Sequence, residues 1–270
     1  MATSSLRPRT VTELVDAAFQ ILKAHYGQFV VCSALAYAPL LILRLAVIGD
    51  PRRFLSTALE SASDVSGVAN FSGVLWVTAA SSLGGWLTFT LMDSVLVVCA
   101  SQAYLGDQVD AGKAIRRAVA CLPRVLVAGV AWFIFVCIGF MAFLVGAVYV
   151  AARCFAVTPS IVLEDAGIVG AFSRSSALSR GRKRHILNTL GLVVIIYWVV
   201  VFGVSVAASL FNSFVLSTLV TSVVTVLVYP VIAITEALLY YDARIQSEGL
   251  DIELMADDLG LASLPGDTPR

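Results

Sequence analysis

Long apolar blocks separated by short charged segments dominate the pattern of hydrophobic and polar positions in this chain. The clearest block begins at Gly139 and stays apolar or small, apart from Arg153, until Glu164 and Asp165 end it. About 20 apolar residues at 1.5 Å per residue cross roughly 30 Å of hydrocarbon. The block therefore predicts a helix that spans a membrane rather than one buried in a soluble core.

Six such spans are predicted, and together they indicate an all-α polytopic membrane protein. The spans are residues 29–48, 86–105, 125–138, 140–163, 186–210 and 214–241. Gly84 and Gly85 predict a break before the second span, so that residues 71–83 are a helical extension, a re-entrant piece or an interfacial piece. Pro230 predicts a kink within the sixth span, because proline removes a backbone donor and clashes with the preceding turn.

Three amphipathic helices are expected on the cytosolic surface, one before each pair of spans. The first follows Thr10 and Glu13, whose spacing is typical of a capping box, and it ends before Gly27. The second covers residues 106–121 and the third covers residues 167–179. Each surface helix and the hairpin of two spans after it form one unit, so the chain resembles a weak threefold repeat.

Composition agrees with a membrane protein, because 59% of the residues are hydrophobic and only 13% are charged. In soluble proteins about a quarter of the residues are charged. We therefore expect one membrane domain over residues 1–260, followed by a disordered tail over residues 261–270. Lys plus Arg and Asp plus Glu each number 18, and this zero net charge argues against a nucleic-acid partner, which requires a basic surface.

Most Lys and Arg residues lie on one side of the predicted spans. Segments on the same side as the N-terminus hold nearly all of those outside the spans, whereas the opposite side holds Arg52 and Arg53. By the positive-inside rule, this asymmetry predicts a multi-pass protein of the cytoplasmic (inner) membrane with both the N- and C-termini in the cytosol.

Three ionisable residues fall deep inside the predicted spans: Asp93, Arg153 and Glu236. Arg153 lies roughly 16 Å from the cytosolic end of a continuous helix, and Asp93 and Glu236 differ from that depth by about 4 Å and 7 Å. Charges at such depth require partners inside the protein. We therefore predict that Arg153 pairs with Asp93, with Glu236 close enough to join. The network either holds the spans together or lies on a path for a solute, a proton or a lipid headgroup.

A basic run precedes the fifth span and is typical of a topology determinant. It consists of Arg180, Arg182, Lys183 and Arg184. Each basic residue near an anionic membrane surface contributes about 1 kcal/mol, so the run is also a candidate site for lipid headgroups. The acidic tail after Tyr241 is either a short solvated helix or a segment that docks across the basic surface helices.

No motif for catalysis, metal or cofactor binding accompanies these features. The two histidines and five cysteines lack metal-ligand spacing, and each cysteine is read as a small buried hydrophobic residue. A nucleophile elbow and a phosphate loop are also absent from the sequence. We expect no metal, no cofactor and no enzymatic activity.

Two segments carry a family resemblance: PSIVLED with AFSRSSALSRG, and LLYYDARIQSEGLDIELM. They resemble the signatures of a bacterial integral-membrane family, the membrane domain attached to some glycerophosphodiester phosphodiesterases, which has stand-alone relatives in actinobacteria. The matching positions of the first segment are Pro159, Glu164, Ala171, Arg174, Ser175, Leu178 and Gly181. Those of the second are Tyr240, Tyr241, Asp242, Arg244, Glu248, Gly249 and Asp251.

The resemblance implies a membrane module and does not imply phosphodiesterase activity. The family's separate barrel-type catalytic domain has no counterpart in this sequence, and Ile138-Gly139-Phe140 replaces a Pro-Gly that the family often has between spans three and four.

Two functions follow from these observations. The first is a non-enzymatic module of the cytoplasmic membrane that engages lipid headgroups, or a membrane or cytosolic partner protein, through its cytosolic face. The alternative is a small-solute or lipid transporter or permease that uses an intramembrane Asp-Arg-Glu network.

Overall fold

The computed structural model describes residues 10–45, 67–141, 144–211 and 213–248. Within these ranges the chain forms ten helices and no strand. They are α1 (Val11–Ala24), α2 (Tyr26–Leu43), α3 (Gly67–Leu105), α4 (Ala111–Met141), α5 (Leu144–Arg153), α6 (Val157–Glu164), α7 (Ile168–Leu178), α8 (Lys183–Ser209), α9 (Phe214–Val228) and α10 (Pro230–Glu248). The all-helical prediction is confirmed for this part of the chain.

Five helical stretches are long and apolar enough to cross a membrane, which indicates a multi-pass membrane protein. They are Ser82–Leu105, Ala111–Met141, Gly146–Glu164, Lys183–Ser209 and Phe214–Ser247. A sixth is possible if α1 and α2 count as one broken span, although they meet at an angle of 87°. The predicted end of the first span, at residue 48, lies outside the described residues.

Helix α1 begins at the capping box that the sequence predicts. The backbone N–H of Glu13 donates to Thr10 Oγ1 at 3.3 Å, and the backbone N–H of Thr10 donates to Glu13 Oε2 at 2.8 Å. The apolar stripe of this helix, which includes Leu14, Ala18 and Leu22, is buried. It packs against α8 and α10, so other helices of the protein cover this face.

The predicted break at Gly84 and Gly85 is wrong, because α3 runs without interruption from Gly67 to Leu105. Residues 71–83 are therefore a helical extension of the second span. Each glycine costs about 1 kcal/mol relative to alanine in a helix. In apolar surroundings, the need to keep every backbone hydrogen bond inside the helix outweighs that cost.

The expected separation of residues 106–121 from residues 125–138 is also wrong, because residues 111–121 and 125–138 belong to the same helix, α4. Pro123 lies inside this helix without ending it. Asp110 starts the helix by accepting from the backbone N–H of Lys113 at 3.0 Å. This hydrogen bond holds the pKa of the Asp110 carboxyl below its usual value.

Glycines allow α4 and α5 to approach closely. A Cβ added to Gly139 would lie 2.8 Å from the carbonyl carbon and oxygen of Gly146. Gly139 is inside α4, rather than in the tight turn predicted near it, and residues 142–143 are outside the described part. The glycine pair thus sets the distance between the two helices.

The predicted span 140–163 is broken into α5 and α6 by a turn over residues 154–156. The kink predicted at Pro230 coincides with a break in the helix, because α9 ends at Val228 and α10 begins at Pro230. The predicted surface helix over residues 167–179 corresponds to the short helix α7, Ile168–Leu178.

The buried core lies where α3 packs against α2, α4 and α10. Met92 and Leu96 of α3 and Ile234 and Leu239 of α10 are almost fully buried. The outer faces of α4, α8 and α9 instead expose apolar side chains, among them Phe133, Ile138, Trp198, Phe202 and Val223. Such large exposed apolar surfaces are expected of helices that are solvated by lipid.

Candidate intramembrane cavity and the Glu164 cluster

A cavity of about 600 Å³ lies among α3, α4, α5, α6, α8 and α10. Aromatic side chains form much of its lining: Trp86, Phe89, Trp132, Phe155 and Tyr229. Its volume is within the range of roughly 300–1,000 Å³ that is usual for small-molecule sites. The break between α5 and α6 and the break between α9 and α10 both border it, because Cys154, Phe155 and Tyr229 are lining residues.

Two of the sequence-predicted residues, Asp93 and Glu236, line this cavity. Tyr229 Oη donates to Asp93 Oδ1 at 3.3 Å, and the side chain of Thr158 also forms a hydrogen bond with Asp93. Glu236 is near enough to Asp93 for the two carboxyl groups to interact electrostatically. Its own carboxyl group forms no hydrogen bond or ion pair within the described part of the chain.

The structure does not bring Arg153, the third member of the predicted network, to these two acids. Arg153 is the last residue of α5, and its Nε donates to Ser176 Oγ of α7 at 2.9 Å. Its side chain is exposed, and it forms no ion pair with Asp93 or Glu236 among the described residues. The predicted depth assumed one continuous helix up to Glu164, whereas the turn over residues 154–156 interrupts that helix.

A second polar cluster is centred on Glu164, the last residue of α6. Arg174 of α7 donates to both carboxylate oxygens at 2.7 Å, from Nε to Oε2 and from Nη2 to Oε1. Tyr240 of α10 donates its hydroxyl to Oε1, and Arg244 Nη1 lies 3.4 Å from the same oxygen. We call these four residues the Glu164 cluster. It joins α6, α7 and α10.

The neighbouring Asp165 has a similar role toward α4. It ends α6 in the left-handed conformation, with φ of 60°. Arg124 Nη2 lies 2.6 Å from its Oδ1, and Arg117 Nη1 lies 3.7 Å from its Oδ2. Arg117 also donates from Nε to the carbonyl oxygen of Val162 at 2.9 Å. These guanidinium groups offset the negative end of the α6 dipole and satisfy one of its terminal carbonyls.

Ser175 fixes the break between α5 and α6. Its hydroxyl donates to the carbonyl oxygen of Arg153 at 2.8 Å and accepts from the backbone N–H of Ala156 at 3.0 Å. Because α5 ends at Arg153, the Arg153 carbonyl and the Ala156 N–H have no partner within a helix. Ser175 supplies that partner and so caps the interrupted backbone. Gly181, which follows α7, has a φ of +74° that only glycine adopts without strain.

Several of the other motif residues of the two segments lie in α6 or α10. Pro159 is buried in α6. Tyr241 Oη lies 2.6 Å from Ser101 Oγ of α3, and Asp242 accepts from Gln246 Nε2 at 2.7 Å. Glu248 is the last residue of α10, and Gly249 lies outside the described residues.

The four basic candidates for lipid headgroups differ in their surroundings. Arg182 Nη1 donates to the carbonyl oxygen of Ala243 at 3.2 Å, and Lys183 Nζ donates to Tyr149 Oη at 2.6 Å. Arg180 and Arg184 are exposed and form no contact of this kind within the described ranges. Of the acidic tail after Tyr241, predicted either as a short solvated helix or as a segment that docks across the basic surface helices, residues 242–248 belong to α10 and the rest lies outside the described residues.

Sequence reasoning missed Arg117, Arg124, Asp165 and Tyr240 as parts of polar clusters. The available signal was the pair of acids at the end of a predicted span, which requires basic partners from other helices. No grouping of three or more His, Cys, Asp or Glu residues that could hold a metal occurs among the described residues. Cys154, expected to be buried, lines the cavity and is partly accessible.

No protein-family model, characterised protein or solved structure matches this chain. The family resemblance of the two motif segments therefore stays a prediction. Within the chain, Glu164 of the first segment contacts Tyr240 and Arg244 of the second.

Proposed function

We propose that this protein is a transporter or permease for a small solute or lipid, and that the cavity holds its substrate. The observation that carries the proposal is a cavity of about 600 Å³ that is bordered by two interrupted helices. Secondary transporters commonly bind their substrates near the middle of the bilayer, where discontinuous helices leave backbone and side-chain groups free. A purely structural module has no need for such a space.

We further propose that it lies in the cytoplasmic membrane with both termini in the cytosol. The support is the positive-inside asymmetry of Lys and Arg. In this orientation the Glu164 cluster and the basic run at Arg180–Arg184 are near the cytosolic side, and the cavity lies deeper.

The test uses Cys154, a natural thiol in the cavity wall. In a Cys137→Ser background, which removes the exposed cysteine, a membrane-impermeant maleimide is added to right-side-out or to inverted vesicles. We expect Cys154 to react from each side, because a transporter exposes its site to both. Reaction from only one side, or from neither, would contradict transport.

Two glycines of α8 provide a matched pair of variants. Gly191 lines the cavity, whereas Gly203 is exposed on the outer surface, and a Cβ added to either meets no atom within 4 Å. Gly191→Leu should narrow the cavity and slow labelling of Cys154 at least tenfold. Gly203→Leu makes the same change in the same helix and should leave the rate unchanged.

A second candidate function, engagement of anionic lipid headgroups, is supported by the exposed guanidinium groups of Arg180 and Arg184. Each contributes about 1 kcal/mol near an anionic surface. The double variant Arg180→Gln, Arg184→Gln should retain less phosphatidylglycerol when it is purified from native membranes and its lipids are quantified by mass spectrometry. Equal retention in variant and wild type would remove this candidate.

A further inference from the structure

We infer that the substrate class is an organic ammonium ion with apolar substituents, bound between Asp93, Glu236 and the aromatic walls of the cavity. This inference rests on the proposed function and deepens it. It is carried by three observations: the charge of the cavity, the chemistry of its walls and its size.

The cavity contains two acidic groups and no basic one. None of its lining residues is Lys, Arg or His, and the predicted cation, Arg153, contacts Ser176 instead. Two carboxylates in a mainly apolar space are costly unless they take up protons or a positive charge accompanies them. The acid of Glu236 has no protein partner in the described ranges, so its oxygens are available to a ligand.

The walls favour an organic cation over a metal ion. Trp86, Phe89, Trp132 and Tyr229 line the same cavity as the two acids, and Tyr229 contacts Asp93 directly. Aromatic faces attract ammonium groups, with energies that reach about 2 kcal/mol when water is excluded. A hard metal ion such as Ca²⁺ instead takes six to eight oxygen ligands. The volume is also far larger than a bare ion occupies, which leaves room for apolar substituents.

An anionic substrate is disfavoured by the same arrangement. A phosphate or carboxylate group would face Asp93 and Glu236 with no basic residue of the cavity to compensate it. The Arg and Lys residues that could bind such groups lie in the Glu164 cluster, around Asp165 or in the basic run, and none of them lines the cavity.

The inference is tested with two charged thiol reagents of similar size, the trimethylammonioethyl and the sulfonatoethyl methanethiosulfonates. Their rates of reaction with Cys154 are measured on the Cys137→Ser protein in membranes. Each rate is divided by the rate of the same reagent with 2-mercaptoethanol. We expect the cationic reagent to be favoured at Cys154 at least tenfold after this correction.

Variants and competitors extend the test. The double change Asp93→Asn, Glu236→Gln keeps the shape of both side chains and removes both acids, and it should lower the preference to less than threefold. Tetrapropylammonium should slow labelling of Cys154 in the protein that keeps both acids, whereas propanesulfonate should not. The competitor experiment shows whether the cavity prefers a cation to an anion even if the double variant does not fold.

The outcomes separate the inference from the function on which it rests. If both reagents modify Cys154 without a preference, and tetrapropylammonium gives no protection, the ammonium class is overturned while the cavity remains open to substrate. If neither reagent reacts before the protein is denatured, both the inference and the proposed transport function are overturned. A preference for the anionic reagent would also overturn the inference.

Discussion

Contacts between the three helices α6, α7 and α10 converge on the carboxylate of Glu164. It accepts two hydrogen bonds of 2.7 Å from Arg174, accepts the hydroxyl of Tyr240, and lies 3.4 Å from Arg244 Nη1. Its side chain is only 21% exposed, so water screens these contacts incompletely. Charge-assisted and bidentate contacts of this kind are stronger than neutral ones.

Replacement of Glu164 by Gln should lower the free energy of unfolding by about 2 kcal/mol, because charged hydrogen bonds are lost and Arg174 and Arg244 repel each other. Unfolding by denaturant in detergent micelles would measure the change. Asp165→Asn is the control, and we expect a loss of less than about 1 kcal/mol because Asp165 is 53% exposed. Equal losses in the two variants would show that the Glu164 cluster contributes no more to the free energy of unfolding than the contacts of Asp165 do.

Ser175 illustrates how a single hydroxyl permits an interrupted helix. Ser175→Ala should leave the N–H of Ala156 without a partner inside the protein, at a cost of about 1–3 kcal/mol. The measurement is again the free energy of unfolding in detergent. In Ser247→Ala, the lost hydroxyl donates to the carbonyl of Ala243 one turn earlier in α10 and has no other hydrogen-bond partner among the described residues, so stability should change little. A Ser175 variant as stable as that control would argue against the capping role.

At the scale of helices, close backbone contact fixes the hairpin of α4 and α5. A helix pair that meets through glycine cannot accept a methyl group without separating, because the atoms in the way are backbone rather than flexible side chains. Membrane helices commonly use small residues at such contacts, since lipid provides no hydrophobic force to bring them together.

Gly139→Ala should therefore destabilise the protein by roughly 1–3 kcal/mol, as expected of overpacking in a tight contact. The loss would appear as a lower midpoint of thermal unfolding in detergent. Gly203→Ala, at an open position of α8, should be neutral or stabilise by up to about 1 kcal/mol through helix propensity. A result in which both variants behave alike would mean that α4 and α5 do not meet at these glycines.

Local signals predicted several elements correctly, whereas most contacts depended on tertiary structure. The capping box at Thr10 and the kink at Pro230 involve residues close in sequence. The turn at residues 154–156 also has a local signal, because Pro159 offers no backbone N–H to the carbonyl of Phe155 and its ring would clash with that carbonyl in a regular helix. This signal was missed. Ser175, from another helix, caps the interrupted backbone. The same error placed Arg153 near Asp93, since depth was measured along a helix that is not continuous.

At the scale of the whole molecule, the distribution of basic residues predicts its orientation. Fusion of green fluorescent protein to the C-terminus should give fluorescent bacteria, and fusion of alkaline phosphatase at the same point should give no phosphatase activity. These reporters work on opposite sides of the cytoplasmic membrane. Active phosphatase at the C-terminus would reverse the proposed orientation, while leaving the cavity and its acids as described.

Helix α10 mechanically links the two polar regions of the protein. It carries Glu236 at the cavity and Arg244 at the Glu164 cluster, and eight residues of helix separate them by roughly 12 Å. Because a helix is stiff over that length, α10 cannot shift at the cavity without pulling Arg244 and Tyr240 away from Glu164 or taking α6 and α7 with it. If the cavity holds a substrate, as proposed, its entry and exit would then depend on whether Arg244 and Tyr240 keep their contacts with Glu164, at the other end of this helical segment.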